Sequence, residues 1–182
     1  MESDRDRWDR RWDAAEHAPP SPPEALTGHE DLLHETGWVL DVACGLGGAA
    51  VWCAMRGLDV VALDVSPIAL ERAAALADAH QVGHRIDLVR VDLDEGLPPE
   101  ADGAFDLVVC NRFRDPALYG PLAERLAPGG LLALTVLSVV DREDRTSPHA
   151  AAAGELLDAF GDLEVLRHDE GDGVASLLAR RR

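Results

Sequence analysis

A glycine loop and an acidic residue further along the chain have the types and spacing that bind an adenosine group. The loop carries Gly45 and Gly47 in the stretch Gly45-Leu-Gly-Gly-Ala-Ala50, and Asp64 follows nineteen residues after Gly45. Glycines let the backbone turn sharply and approach a ligand without a Cβ in the way. An acid at the end of the next strand can accept hydrogen bonds from both ribose hydroxyls. The spacing therefore predicts an adenosine-containing ligand at the carboxyl edge of a parallel sheet.

Two classes of adenosine ligand compete for this loop, a dinucleotide and S-adenosylmethionine (SAM). The pattern from Gly45 through Gly47 to Ala50 also fits the dinucleotide fingerprint, so an NAD-binding oxidoreductase stays open. Three features favour SAM. Asp41, just before the loop, would lie badly beside a pyrophosphate but could help to hold an ammonium group. About 37 residues precede the first strand, and the chain ends after one sheet, without a second domain for a dehydrogenase substrate.

Strands and helices alternate along the chain, and this pattern predicts the sheet that positions these residues. The early strands are continuously apolar, as buried parallel strands are, whereas the last two are joined by a short turn at 169–173 and form a hairpin. The fold class is therefore α/β, with a Rossmann-like, doubly wound, mostly parallel seven-stranded sheet and an antiparallel C-terminal strand. Strands are predicted at 38–43, 59–64, 86–91, 105–110, 131–138, 163–167 and 174–179. Helices are predicted at 2–16, 24–35, 49–56, 66–80, 116–126 and 154–160.

Composition and charge exclude several functions. The chain has 34 acidic and 17 basic residues, a net charge of -17, and such a surface repels phosphate backbones, so we expect no nucleic-acid partner. Every basic residue is Arg, which removes chemistry that needs a lysine, such as a Walker A loop or a pyridoxal Schiff base. The 3 Cys predict neither a disulfide framework nor a zinc site, and we expect no metal. No apolar run is long enough to span a bilayer and no signal peptide opens the sequence, so we expect no membrane partner and a cytoplasmic location.

Several ordered motifs resemble those of the class I SAM-dependent methyltransferases. The stretch 39–47, Val-Leu-Asp-Val-Ala-Cys-Gly-Leu-Gly, resembles their first motif, and 64–70, Asp-Val-Ser-Pro-Ile-Ala-Leu, is similar to their second. Their later landmarks match in order at 91–93, 105–111 and 126–131, and the resemblance covers roughly residues 36 to 180. Within the class, the opening Trp8-Asp-Arg-Arg-Trp12 before a Pro-rich segment is similar to the tellurite-resistance-type and thiopurine-type enzymes. The stretches 111–116 and 154–160 favour the tellurite-resistance-type branch.

This resemblance implies a role for the residues of the glycine loop. The backbone of Gly45 and Gly47 faces the methionine part of SAM, together with Ala43 and Cys44 of the same loop. Asp41 orders the loop or binds the ammonium group of SAM, directly or through water. These roles make the loop the cofactor site.

The resemblance also implies roles at the ends of the next three strands. Asp64 binds the ribose hydroxyls and Val65 lines the adenine. Asp92 accepts a hydrogen bond from the adenine amino group, while the Leu93 amide touches a ring nitrogen. Asn111 ends the fourth strand, where its backbone reaches the ammonium or sulfonium region.

The N-terminal segment carries two rings and a cation at helical spacing. Trp8 and Trp12 share one face of a helix, and Arg11 can edge that face. We expect this helix to cover the cofactor site, with Arg11 meeting the SAM carboxylate and the rings excluding water. The alternative is an ordinary amphipathic helix packed on the sheet. The predicted organisation is a helical lid at 1–35 and a SAM-binding domain at 36–182, compact as a single domain overall.

The sequence predicts a SAM-dependent methyltransferase that acts on a small-molecule acceptor by in-line displacement. After Asn111 the chain continues Arg-Phe-Arg, whereas enzymes that methylate adenine or glutamine nitrogens carry a Pro-Pro-aromatic run there. The alternative is a non-catalytic SAM-binding sensor or partner subunit, and the NAD-binding oxidoreductase is third. A soft or deprotonated acceptor needs no general base, so no catalytic residue is named. The oligomeric state, monomer or dimer, stays open.

Overall fold

The computed structural model describes residues 4–15, 19–142, 147 and 149–182, with the backbone alone for 4–6. Its seven strands form one sheet in the order β3-β2-β1-β4-β5-β7-β6. The strands are β1 Trp38–Val42, β2 Asp59–Asp64, β3 Ile86–Arg90, β4 Phe105–Asn111, β5 Leu126–Leu137, β6 Glu164–Gly171 and β7 Val174–Arg180. The helices are α1 Asp4–Asp13, α2 Gly48–Met55, α3 Pro67–Ala79, α4 Tyr119–Glu124 and α5 Glu155–Ala159. The mostly parallel α/β fold with an antiparallel strand near the C-terminus is confirmed.

The chain divides into two compact units. The first, here called the glycine-loop unit, comprises Met1–Pro22 and His34–Gly103. The second, the C-terminal unit, comprises Pro23–Leu33 and Ala104–Arg182.

The glycine-loop unit is built on three parallel strands. β1 pairs with β2, and β2 with β3, in continuous register. Val39, Leu40 and Val42 of β1 are completely buried, as expected for a parallel strand covered on both faces. α3 starts where the sequence predicts, because the Ser66 hydroxyl accepts a hydrogen bond from the Ala69 N–H at 3.1 Å and Pro67 occupies the first helical position. These strands and α3 fix the positions of the residues that follow each strand.

The C-terminal unit contains the predicted hairpin. β4 and β5 are parallel, whereas β7 runs antiparallel to both β5 and β6. β5 begins at Leu126, five residues before the predicted start, and its register with β4 shifts between Phe105 and Leu107. This irregularity accommodates the Pro128-Gly-Gly turn, which the sequence suggests as a boundary rather than part of a strand.

Two helix predictions are wrong in extent. The predicted helix at 24–35 is instead a pair of short 3-10 turns, Glu24–Leu26 and Glu30–Leu32, separated by Gly28 with a left-handed φ of 84°. The predicted helix at 116–126 is a 3-10 turn, Pro116–Leu118, followed by the short α4. In each case a segment of helix-forming composition is too short to overcome the turn residues beside it. Within the described ranges, no helix combines the length and apolarity needed to cross a membrane.

Candidate functional site

The loop between β1 and α2 requires backbone angles that favour glycine. Gly45 has a φ of 53° and Gly47 a φ of 76°, and Gly47 is the N-cap of α2. Ala43, which has a side chain, also has a positive φ of 55°. The Cys44 N–H anchors the loop by donating to the Leu63 carbonyl of the neighbouring strand at 2.9 Å. The loop thus turns tightly at the carboxyl ends of β1 and β2, where the sequence predicts the cofactor site.

The space around the two glycines differs. A Cβ at Gly45 would lie 3.0 Å from a ring carbon of Trp12, so the indole ring rests on the loop backbone. A Cβ at Gly47 would lie 2.7 Å from the Cβ of Ala73, so Gly47 permits α3 to pack closely against the loop. Gly45 is thus a point of close approach, and Gly47 is a packing position.

Asp64 ties the loop to the start of α3. Its Oδ2 accepts a hydrogen bond from the Gly45 N–H at 2.9 Å, and its Oδ1 accepts one from the Ser66 N–H at 2.9 Å. Burial raises the pKa of this carboxyl, and the hydrogen bonds from Ser66 and Gly45 oppose that rise. The Val65 N–H also hydrogen-bonds to this carboxyl, and the four lone pairs of a carboxylate leave room for a further donor.

Asp41 is a buried acid that lacks a full set of partners. The residue is 2% exposed, and the Ala50 N–H donates a hydrogen bond to its carboxyl. Its Oδ2 is buried without any hydrogen-bond partner among the described residues. Burial, and next the negative charge of Asp64, raise the pKa of Asp41 to about 7. The loop therefore has two acids beside it, and one of them has an unsatisfied oxygen.

The N-terminal helix α1 lies against this loop. Trp8 and Trp12 are stacked, with ring centroids 5.7 Å apart and an interplanar angle of 19°. The guanidinium of Arg11 lies 5.2 Å from the Trp8 ring centroid and 5.6 Å from that of Trp12, an arrangement typical of cation–π contact. Arg11 is exposed and held against the rings. The contact of Arg11 with the SAM carboxylate stays a prediction.

Asp9 and Arg72, which no clear sequence pattern marks, hold α1 in place together with Ser66. The Ser66 hydroxyl donates to Asp9 Oδ1, and Arg72 of α3 donates to the carbonyls of Trp12 and, at 2.7 Å, Ala15. Asp9 lies three residues before Trp12 on α1, which is a weak signal that the two share a face. No signal in the sequence identifies Arg72 as the partner of a helix about sixty residues away.

The residues predicted to hold the adenine follow β2 and β3. The Val91 N–H donates to the Asp64 carbonyl at 3.0 Å, so the ends of these two strands are joined. Asp92 is exposed and caps the 3-10 turn Leu93–Glu95 by accepting from the Asp94 N–H at 3.1 Å. Leu93 is buried and Val65 is half-buried. Their adenine contacts stay predictions.

Asn111 belongs to the C-terminal unit, where it is the last residue of β4. Its side-chain Oδ1 is buried and has no hydrogen-bond partner in the described part of the chain. Arg112 follows with a left-handed φ of 58°, and its N–H donates to the Thr135 carbonyl at 2.7 Å. The strand end is thus fixed, while the amide oxygen of Asn111 remains unsatisfied. Its backbone contact with SAM stays a prediction.

A known protein family matches the middle of the chain. The family is described as a methyltransferase domain, and the match covers residues 39–130. The chain belongs to this methyltransferase family. Together with the fold, this confirms the class I SAM-dependent methyltransferase domain that the motifs resemble, with SAM as its methyl donor. The matched range contains the glycine loop, Asp64, Asp92 and Asn111.

Two relatives of this methyltransferase differ in what they are named for. A ribosomal protein L11 methyltransferase from Bradyrhizobium diazoefficiens is 31% identical over 147 residues, which is 79% of this chain and 46% of the relative. A ubiquinone biosynthesis O-methyltransferase from Xanthomonas campestris pv. campestris is 36% identical over 107 residues, which is 55% of this chain and 43% of the relative. The chain thus spans less than half the length of either relative.

Solved structures share the fold at low sequence identity. TehB from Haemophilus influenzae has a TM-score of 0.71 at 19% identity, covering 98% of this chain and 67% of TehB. A SAM-dependent methyltransferase from Geobacter sulfurreducens, in complex with S-adenosyl-L-homocysteine, has a TM-score of 0.66 at 22% identity, covering 88% of this chain and 71% of that one. These similarities support the fold alone.

Proposed function

We propose that this methyltransferase domain holds SAM at the glycine loop and transfers its methyl group to a small-molecule acceptor. The observation that carries the proposal is the carboxylate of Asp41, which is buried at the loop with an unsatisfied Oδ2 and a raised pKa. A buried acid beside a second acid is stabilised in its charged form by a cation. SAM brings two cationic groups, an ammonium and a sulfonium. A dinucleotide would instead bring a pyrophosphate into the field of Asp41 and Asp64.

The other residues of the glycine-loop unit fit the rest of the cofactor. Asp64 accepts from the N–H groups of Gly45, Ser66 and Val65, and its carboxylate retains lone-pair capacity to which the ribose can donate. Asp92 accepts from the adenine amino group, the Leu93 N–H donates to a ring nitrogen, and Val65 lines the base.

We assign the lid role to the N-terminal segment 1–35, with residues 36–182 as the SAM-binding domain. α1 supports this role because Trp12 rests on Gly45 and because Asp9 and Arg72 anchor the helix beside the loop. Trp8 and Trp12 exclude water from the loop, and Arg11 binds the carboxylate of SAM from the same helix.

The chain contributes binding and alignment to the reaction. When bound, SAM supplies a methyl group already activated by its sulfonium leaving group. Asp41 holds a cationic group of SAM beside the loop, Asp64 holds the ribose, and the stacked rings of α1 exclude water from the site. Holding the methyl donor and the acceptor in line accounts for a large part of the rate acceleration. A soft or deprotonated acceptor needs no general base.

A small-molecule acceptor fits the segment that follows β4. This segment reads Asn111-Arg-Phe-Arg and lacks the Pro-Pro-aromatic run that grips a planar amide or amine. Both of its arginines are held by carboxylates, Arg112 by Glu24 at 2.9 Å and Arg114 by Glu155 at 2.7 Å. The largely buried Arg114–Glu155 pair therefore gives the segment one fixed wall, and neither arginine is left as an unpaired positive charge for a macromolecule.

Calorimetric titration and turnover together test this function. We expect the protein to bind SAM and S-adenosylhomocysteine but not NAD, and to release S-adenosylhomocysteine when SAM is supplied with a panel of small hydroxyl, thiol and amine acceptors. Asp41→Asn should weaken SAM binding, whereas the matched control Asp87→Asn, at an exposed acid of β3, should leave it unchanged. Binding without turnover across the panel would favour a SAM sensor or partner subunit, and binding of NAD alone would overturn the proposal.

A further inference from the structure

A row of polar side chains crosses the sheet of the C-terminal unit. Asn111 of β4 is paired with Thr135 of β5, Thr135 with Ser176 of β7, and Ser176 with Asp169 of β6. Residues paired in register on neighbouring strands point to the same face of a sheet. These four residues, here called the polar row, therefore lie side by side on one face. Asn111 and Thr135 stand at the carboxyl ends of parallel strands, where α/β sheets bind ligands.

Across β4, β5 and β7, the rows beside it on this face are apolar. The preceding row contains Val109, Ala133 and Leu178, all fully or almost fully buried, and on its other side lie Leu137 and Val174. A polar row between apolar rows is not required by the packing of the sheet. It places hydrogen-bonding groups beside buried apolar side chains.

Two oxygens of the polar row are buried and unsatisfied. Thr135 has no exposed surface, and its Oγ1 has no hydrogen-bond partner in the described ranges. The Oδ1 of its neighbour Asn111 is in the same state. A valine has nearly the same shape as Thr135 and avoids the cost of burying a hydroxyl. Packing alone therefore does not explain a threonine at this position. Two neighbouring buried oxygens without a partner are therefore positions that a hydrogen-bond donor would satisfy.

The charged groups around the polar row are already paired with one another. Asp169, the outermost member of the row, forms an ion pair with Arg167. Arg112, which follows Asn111, is bound in bidentate fashion by Glu24. An anionic ligand would have to break such a pair to find a cation, and a cationic ligand would have to do so to find a carboxylate. The surroundings therefore suit an uncharged ligand.

The segment Pro23–Leu33 lies over the same face. Arg167 is paired with Leu178, two residues along β7 from Ser176, so Arg167 lies on the face of the polar row. Its guanidinium donates to the Thr27 carbonyl at 3.1 Å. Two arginines thus attach the first half of the segment, Arg112 through Glu24 and Arg167 through Thr27.

We infer that the polar row binds the methyl acceptor, an uncharged molecule with an apolar body and a hydroxyl or N–H donor. Asn111 Oδ1 accepts from that donor, and the Thr135 hydroxyl donates to or accepts from the same polar group. The assignment of this ligand as the methyl acceptor rests on the proposed function. The hydrogen-bonding requirement itself rests on Asn111 and Thr135.

Ligand-observed saturation-transfer NMR with matched probes tests this inference. The protein is saturated with S-adenosylhomocysteine, and the probes are phenol and cyclohexanol, which donate, anisole, which has no donor, and benzoate, which is charged. We expect phenol and cyclohexanol to bind more tightly than anisole and benzoate. Thr135→Val should weaken phenol binding about fivefold, whereas Thr135→Ser, which keeps the hydroxyl, should restore it.

The same samples separate the possible failures. Equal binding of phenol and anisole to the wild-type protein would overturn the inference, even if no variant folded. Unchanged phenol binding in Thr135→Val, with a lowered melting temperature, would also overturn it, because the hydroxyl would then have a structural partner. Calorimetry with S-adenosylhomocysteine gives an independent reading. If the protein prefers phenol to anisole but does not bind S-adenosylhomocysteine, the proposed function is contradicted while the inferred hydrogen-bonding site still stands.

Discussion

Replacing Asp41 with asparagine removes a buried charge while keeping the size of the side chain. The pKa of Asp41 rises from 3.8 to about 7 on folding, mainly because the carboxyl is buried and next because Asp64 lies near. The folded protein therefore binds this proton more tightly than the unfolded chain does. The contribution to stability is complete below about pH 4 and is lost as the pH rises through about 7.

The size of the effect follows from that difference in pKa. At about 1.4 kcal/mol for each pH unit, ionised Asp41 costs the folded state roughly 4 kcal/mol above pH 7. Asparagine avoids this cost and can keep the bond from the Ala50 N–H. Its amide nitrogen replaces the unsatisfied Oδ2 and also lacks a partner, which costs about 1–2 kcal/mol. We therefore expect Asp41→Asn to stabilise the cofactor-free protein by about 2 kcal/mol at pH 8.

Differential scanning calorimetry at two pH values measures this gain. In a chain of this size, 2 kcal/mol corresponds to a melting temperature about 4–8 °C higher at pH 8. At pH 5.5 the cost for the wild-type protein falls to about 2 kcal/mol, because folded Asp41 is protonated while the unfolded chain is still mostly ionised there. The unpaired amide of asparagine costs about as much, so the gain should nearly vanish. The control Asp87→Asn, at an exposed acid, should change neither value. A lower melting temperature for Asp41→Asn at pH 8, or a difference independent of pH, would refute the reasoning.

Three further changes test other parts of the proposed site. Asp64→Ala should weaken SAM binding at least about tenfold by calorimetry, because charge-assisted hydrogen bonds to the ribose are lost. It should also lower the melting temperature, because the N–H groups of Gly45 and Ser66 lose their acceptor. Unchanged affinity would refute the ribose assignment. Deletion of residues 1–20 should leave the sheet folded by circular dichroism but weaken SAM binding, and Arg11→Ala should cost about 1.5–3 kcal/mol of binding energy; a lower melting temperature with unchanged affinity would mean that α1 only packs on the domain. Gel-shift assays should detect no duplex DNA or RNA binding at physiological salt, and salt-sensitive micromolar binding would contradict the expectation drawn from a net charge of -17.

The parts of the site that are determined by residues close together in the sequence could be predicted. The glycine loop, the acid that ends β2 and the Ser66 cap follow from local spacing, and the structure has the loop, the strand and the cap at these residues. The anchors of α1 could not be predicted, because Asp9 and Arg72 meet partners about sixty residues away. Such contacts depend on how helices pack, and no local pattern encodes them.

The polar row could not be predicted from the sequence either. Thr135 lies in an apolar strand, and nothing beside it marks its hydroxyl as unusual. Its alignment with Asn111 and Ser176 depends on strand register, which is set by the whole sheet. The prediction of a helix at 24–35 is wrong for a simpler reason. Gly28 has a left-handed φ, and the stretches on either side of it are too short to form a stable helix.

The position of Trp12 against Gly45 has a consequence for the timing of catalysis. Its ring lies where a side chain of residue 45 would stand, so a ligand that reaches the loop backbone from this side first displaces the ring. The ring moves with α1, and α1 is tied to Ser66 and Arg72. If SAM binds at this loop as proposed, the spent cofactor can leave from this side no faster than the helix detaches, and the rate of detachment is then an upper limit on the turnover rate.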